Sequence, residues 1–482
     1  MELRAPQTPV RTLASKAELM GYTALVEGSP QLPHRGRLFG ALFMMLGFAL
    51  GGVLCVPTLW PQPVQNLKHA VQLPGAGVRT CGQGKNVYLG KEGQWVSCGE
   101  HDLCLVGKLT EIDPLAVCTD GTPAVFYYNP PPSGSSKHFF IFQPGGDWCY
   151  DGESCKAQPK RYMTRKKWAA VIKPAFGGFL NYPASVNAHR IYLPYCNSDA
   201  YIGNYTKDGM QFRGRVVVAA LYEAMHKKYG LGNGHTVVHA GCSAGGRGVM
   251  YNTNWVLRQL RAYGDVRFVP VLDSGLYLGE GPVHGEVLAF TKMARGFYSN
   301  TPDSIDPDCK TVYGKDEGWK CLIGEYAIPT LQTKFVAQAF AFDSFQWTGR
   351  MKAQHSTWFG RRHQSLATQL AKAGNRLFAP AVRGHCSFEG PCFTIFTVNN
   401  VSMSRIIDEA VSAGRVTSEI EYCSYPRGYL AAEIVTVAGG ACKKPYDKHK
   451  LEDVYGMADP CGLEDHPGKK FGSGFTCTLS AS

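Results

Sequence analysis

A mostly parallel α/β sheet covered by helices on both faces is the fold this 482-residue chain predicts. Three observations predict it. Apolar runs of strand length alternate with helix-length amphipathic stretches between about residue 81 and residue 440. A strand, tight turn and helix meet at Gly241-Cys242-Ser243-Ala244-Gly245-Gly246. The composition, 44% hydrophobic and 18% charged, is that of a globular chain with a sizeable core.

The first 37 residues hold five Lys/Arg, with Arg35 and Arg37 directly before an apolar run. Leu38 to Trp60 is a 23-residue uncharged stretch, long enough to cross a bilayer as a helix. A cleaved signal peptide would need an unusually long charged leader, so residues 38–60 are read as a signal anchor. Only Lys68 and Arg79 occur in the next twenty residues, so the positive-inside bias predicts a cytoplasmic tail, 1–37. The remainder would then face a lumen or the exterior, as a single-pass type II protein. Pro61 to about residue 80 is Pro- and Gln-rich and reads as a stalk.

The folded domain is expected over 81–440. Strands are predicted at Ala124–Tyr128, His138–Gln143, Arg190–Tyr195, Thr236–Ala240 and Arg267–Leu272. Gln211–Tyr229 is predicted as a helix, because Val216, Val217, Ala220, Leu221 and Met225 form one apolar stripe. Its loop, Gly230–Gly234, leads into the strand before the turn, as in a crossover onto a buried central strand. The helix after the turn extends through Tyr263. Residues 441–482, with Cys442, Cys461 and Cys477, look irregular and disulfide-tied rather than like a second domain.

The glycine-flanked turn thrusts the Ser243 hydroxyl out at the end of a buried strand and aims the first N–H groups of the next helix at a developing oxyanion. The chemistry it predicts is acyl transfer, which needs a nucleophile, a base, an acid to orient the base, and oxyanion donors. His385 follows an apolar strand and a glycine turn, the place for a base. His235 and His239 lie before the turn with no carboxylate or cysteine at ligand spacing, and are read as packed histidines. Asp273 and Asp343 both satisfy the order Ser…Asp…His. Asp343 is preferred because the acid usually follows the second strand after the nucleophile, leaving Asp273 to brace the turn by hydrogen bonds. Ala244 N–H is the first expected oxyanion donor. Gly146 and Asp147, in the glycine-rich loop after His138–Gln143, supply the others.

Of 17 cysteines, 16 lie beyond Cys55 of the anchor, enough for up to eight disulfides in an oxidising compartment. No C-x-x-C spacing occurs, which counts against a zinc ribbon. Asn204-Tyr205-Thr206 and Asn400-Val401-Ser402 are glycosylation sequons. The formal charge of +12 is spread along the chain without interleaved aromatics, so no nucleic-acid partner is expected. The charge reads first as a solvated surface, with attraction to an anionic glycan or a membrane surface as the functional alternative.

These segments resemble, in order, the pectin acetylesterase family, which includes the Notum carboxylesterase. The matching blocks are Gly145-Gly146-Asp147-Trp148-Cys149, Asn187 to Asp199, Phe212-Arg213-Gly214, Gly241 to Gly246, Asp273-Ser274-Gly275, Phe342 to Trp347 and Gly384-His385-Cys386. The resemblance implies an α/β-hydrolase-like fold and an esterase without metal or cofactor. It makes Ser243 the nucleophile, His385 the base and Asp343 the acid, with Asp273 structural. The implied substrate is an O-acylated, most plainly O-acetylated, glycan in the lumen or outside the cell. The alternatives are a long-chain acyl group on a protein, or a catalytically silent glycan-binding ectodomain. Asp147 departs from the family, which carries Gly or Trp there; a carboxylate aimed inward would oppose an oxyanion. The anchor is a second departure.

Overall fold

The computed structural model describes residues 101–279, 290–343, 345–346, 353–390, 392–414 and 416–421, together with residues 86–88, 95–97 and 99. The proposed tail, anchor, stalk and C-terminal segment lie outside the described residues. Among those described, no helix is long and apolar enough to cross a membrane.

A ten-stranded sheet runs through the domain. In chain order its strands are β1 (Leu103–Lys108), β2 (Val125–Asn129), β3 (His138–Gln143), β4 (Val171–Ile172), β5 (His189–Tyr192) and β6 (Thr236–Cys242). They continue with β7 (Arg267–Asp273), β8 (Val336–Gln338), β9 (Arg376–Ala379) and β10 (Glu419–Ile420). The spatial order is β10-β9-β8-β7-β6-β3-β5-β2-β1-β4. From β10 through β5 all neighbours are parallel, whereas β2, β1 and β4 add an antiparallel edge.

Both faces are apolar because successive side chains on a buried strand point to opposite sides. Phe139 and Ile141 join one core cluster while Phe140 and Phe142 join the other. Helices α1 (Gly214–Tyr229) and α2 (Ala244–Tyr263) pack on the first face. Helix α3 (Ala353–Lys372) contributes Leu366, Ala367 and Leu370 to that same cluster. Helix α4 (Met403–Val411) covers the second face through Met403, Ile406 and Ile407.

The expected elements are present with corrected ends. The β5 strand covers 189–192 rather than 190–195, β2 covers 125–129 rather than 124–128, and β6 and β7 run on to Cys242 and Asp273. Helix α1 begins at Gly214, not Gln211, because Met210–Phe212 pairs with Tyr205–Lys207 in a hairpin. Its turn, Asp208-Gly209, has positive φ at both residues. The buried Asp199 carboxylate then accepts from Gly214 N at 2.8 Å, so the helix starts where that acceptor is available. All five residues of the predicted stripe are buried.

Four disulfides join described residues: Cys118–Cys196, Cys149–Cys155, Cys242–Cys386 and Cys309–Cys321. Bridges at this density belong to a lumenal or extracellular domain.

Candidate active site

Strand β3 lies beside β6, although some ninety residues separate them in sequence. Strands β7 to β10 spread outward on one side of this pair and β5 on the other, so β3/β6 is the point where the sheet's winding changes direction. The loop after β3 and the turn after β6 therefore emerge side by side. Gly145 allows their contact: a Cβ there would lie 2.9 Å from Ser243 Cβ. A Cβ on Gly245 would meet the Gln143 carbonyl oxygen at 2.0 Å.

Ser243 occupies the turn with φ 55° and ψ −117°, a conformation rarely tolerated outside a nucleophile elbow. Its N–H donates to Asp273 O at 2.9 Å, and the residue is 8% exposed. The Ser243 hydroxyl contacts the Tyr277 hydroxyl at 3.3 Å and makes no hydrogen bond with His385. Such bonds are often long before substrate binds. Burial holds the Tyr277 phenol well above its ordinary pKa, so it is a neutral hydroxyl.

Asp343 and His385 are brought together by a two-stranded parallel ribbon, Phe342–Asp343 against Arg383–Gly384, in which Asp343 is opposite Gly384. Asp343 lies beyond the end of β8, the second strand after the elbow, as expected. His385 Nδ1 bonds Asp343 Oδ2 at 2.9 Å, and both side chains are nearly buried. Burial alone would lower the imidazole's pKa. The Asp343 charge and hydrogen bond outweigh it, with Asp273 adding and Arg247 opposing, so the pKa is raised. Phe345 stacks on the ring at 5.4 Å between centroids.

Asp273 braces the elbow by a hydrogen bond, as its sequence position suggested, and does more. Its main chain makes that bond, and its carboxylate ties the loop that carries His385, accepting from Ser387 N at 2.8 Å and Phe388 N at 3.1 Å. Gln338 Nε2 donates to its other oxygen at 3.1 Å. Burial pushes its pKa up to about 6 against these donors. Ser274 Oγ receives Cys386 N at 2.9 Å.

His239 is fully buried, with Nδ1 2.9 Å from the Tyr222 hydroxyl on α1 and a pKa lowered to about 3 by burial. His235 Nδ1 lies 2.9 Å from Gly232 O. Both are packed histidines.

Gly146, Asp147 and Ala244 make no hydrogen bond through their N–H groups among the described residues. Gly146 is required as glycine, because a Cβ would lie 2.2 Å from the Tyr195 ring. The Asp147 carbonyl oxygen accepts from the Tyr195 hydroxyl at 2.8 Å and from Gln158 Nε2 at 3.2 Å, which sets the orientation of the loop's peptides. The residue is exposed, and its side chain joins no ion pair among the described residues. Crowding around the carboxyl raises its pKa, opposed by Arg247 and Arg161.

Three features escaped sequence reading. Tyr277 stands four residues past Asp273, in a segment that gave no motif. Arg247 follows the elbow directly, in a stretch whose helical pattern gave no sign of a function. The Cys242–Cys386 disulfide joins the residue before Ser243 to the residue after His385. Adjacency of one cysteine to each candidate was a readable signal. Cys242, Asp273 and Cys386 also form a compact cluster of potential ligand atoms, but its sulfurs are bonded to each other and cannot take a metal while the bridge holds.

The bridge closes a long loop across the site, so its loss acts on geometry and stability together. Replacing both cysteines by Ala is expected to cost about 3 kcal/mol in urea unfolding and to lower kcat/KM on 4-nitrophenyl acetate about 100-fold. An unaltered kcat/KM in a folded double variant would show that hydrogen bonds alone hold the base loop.

A family model described as Pectinacetylesterase matches residues 100–375. Ser243 and Asp343 fall inside that range and His385 just beyond it. Among curated relatives, a Danio rerio protein named Palmitoleoyl-protein carboxylesterase notum1a is 27% identical over 317 residues, 60% of this chain and 62% of that protein. A Xenopus laevis protein, Palmitoleoyl-protein carboxylesterase notum1', is 26% identical over 407 residues, 74% of this chain and 80% of its own length. The Homo sapiens Palmitoleoyl-protein carboxylesterase NOTUM is 26% identical over 249 residues, 48% of this chain and 49% of its own. This chain thus spans less than two thirds of the Danio rerio relative.

Proposed function

We propose, from the premise that this chain belongs to the pectinacetylesterase family and is a carboxylic ester hydrolase, that Ser243, His385 and Asp343 are its catalytic triad and a short O-acyl ester on a glycan its substrate. The observation that carries the triad is the 2.9 Å Asp343–His385 bond on a loop bridged to the residue beside Ser243. In the cycle, Ser243 Oγ attacks the ester carbonyl while His385 Nε2 takes its proton, and Asp343 holds Nδ1–H and balances the imidazolium. The N–H groups of Gly146, Asp147 and Ala244 receive the oxyanion. His385 returns the proton to the departing alcohol. Water then releases the acyl group by the reverse path.

A short acyl group is favoured by the lining. The Tyr277 hydroxyl touches Ser243, and the buried Arg247 guanidinium lies over the Tyr277 ring, so polar atoms stand where a long alkyl chain would want apolar contact. The names of the relatives support a second reading, removal of a long-chain acyl group from a protein. The anchor read at 38–60 would hold either activity at a lumenal or outer membrane face.

Turnover of 4-nitrophenyl acetate, butyrate, octanoate and palmitate separates the two. The glycan-ester reading expects kcat/KM to fall at least about 100-fold between butyrate and palmitate, as each excess methylene meets polar lining. A rise with chain length would replace it by the protein-deacylase reading.

A further inference from the structure

We propose that Arg247 and Trp148 form a subsite for a carboxylate carried by the ester substrate, next to Ser243. This rests on the serine-esterase reading, since the nucleophile defines where the subsite lies. Arg247 stands in the first turn of α2, its N–H bonded to Ser243 O at 2.9 Å, and is 2% exposed. Its side chain interacts with Tyr251. Its Nε and Nη1 are buried without a hydrogen-bond partner, and it joins none of the ion pairs among the described residues.

Arg190 and the part-buried Arg215 each leave only Nε unpartnered. Arg190 donates to the Leu180 carbonyl oxygen, Arg215 to that of Ser304. Arg247 is instead ringed by aromatics, its guanidinium carbon 4.6 Å from the Trp148 centroid and 5.4 Å from those of Tyr277 and Phe290. Ring faces attract the charge but offer no in-plane acceptor, and beyond its hydrogen bond with Tyr251 the guanidinium keeps Nε and Nη1 unmet. Trp148 Nε1, in the same box, is also buried and unpartnered. Three orphaned donors therefore surround one cationic group, and burying such a cation unpaired is costly. An anionic acceptor is the complement they lack.

The box adjoins the chemistry. Tyr277, whose ring faces the guanidinium, contacts Ser243 Oγ through its hydroxyl at 3.3 Å, and His385 feels the Arg247 charge. Trp148 follows the partly exposed Gly145 and Gly146 and the exposed Asp147. Asp147 does not fill the role, because it is unpaired and its pKa is raised in spite of Arg247. A carboxylate on either the acyl or the alcohol part of the ester would lie a few bonds from the scissile carbonyl.

Two isosteric pairs test this. Mono-4-nitrophenyl glutarate against 4-nitrophenyl pentanoate places the charge on the acyl part. 4-Acetoxybenzoate against its methyl ester places it on the alcohol part. The wild-type enzyme should favour the anionic member of at least one pair by about 30-fold in kcat/KM, the discrimination expected of charged hydrogen bonds. That ratio should fall to about one in Arg247→Met and be partly kept in Arg247→Lys. Free glutarate should raise the thermal midpoint of wild type and Ser243→Ala, a readout independent of turnover. Wild-type preference for the neutral member in both pairs would overturn the subsite, as would a preference undiminished in Arg247→Met. Should Arg247→Met not fold, the wild-type ratios and the glutarate shift decide, absence of both overturning it. The nucleophile is judged separately, by whether Ser243→Ala loses 4-nitrophenyl acetate turnover.

Discussion

Ser243→Ala should lower kcat on 4-nitrophenyl acetate by about 10⁶-fold, the loss seen when a triad nucleophile is removed. The fold should survive the change. Among the described residues the hydroxyl's one partner is the Tyr277 hydroxyl at 3.3 Å, while the bonds that fix the turn, Ser243 N to Asp273 O and Arg247 N to Ser243 O, belong to the main chain. Alanine tolerates the positive φ no worse than serine. No neighbouring thiol can take over the attack, since Cys242 is bridged to Cys386. The measurement is single-turnover kinetics beside a circular dichroism spectrum. Hydrolysis near the wild-type rate in a folded variant would end the serine-esterase assignment and leave the oxyanion loop as the only part of the site to explain the activity.

The second large effect is expected from Asp343→Asn, about 10⁴-fold in kcat with little change in KM. The carboxylate now accepts the Nδ1 proton of His385 across 2.9 Å. An amide nitrogen there would donate instead and hold the imidazole with its proton on Nε2, the atom that must accept from Ser243. Asp273→Asn is the control that separates the two acids. Its carboxylate accepts from Ser387 N, Phe388 N and Gln338 Nε2 and does not touch the imidazole by a hydrogen bond. That variant should lose about 2 kcal/mol in stability, the cost of a charged buried acceptor, and lose activity by a smaller factor as the base loop loosens. A larger kcat loss in Asp273→Asn than in Asp343→Asn would exchange their roles.

Much of this arrangement was legible in the residues. The elbow, the helix after it and the strand before it follow from local pattern: alternating burial, a helical apolar stripe, and glycines where no Cβ fits. His385 was legible from its place after an apolar strand and a glycine. Asp343 was preferred over Asp273 by counting strands, a topological rule, and the ribbon that pairs Phe342–Asp343 with Arg383–Gly384 is what brings Asp343 beside His385. The start of α1 was misread because an apolar stripe is silent about where the first acceptor for the helix N–H groups sits; that acceptor is Asp199, upstream of the hairpin.

Local information therefore sufficed for the strained serine, the glycine loop and the presence of the elements it predicted, though not for where those elements begin and end. It did not suffice for partners far apart in sequence, from the 34 residues between Ser243 and Tyr277 to the 144 between Cys242 and Cys386. That Tyr277 would meet Ser243, that Cys242 would bridge to Cys386, and that Arg247 would be enclosed by Trp148, Tyr277 and Phe290 with its donors unmet depend on which strands become neighbours. Strand neighbourship is decided by burying both faces of the whole sheet at once, a sum over the entire chain that no segment of it contains.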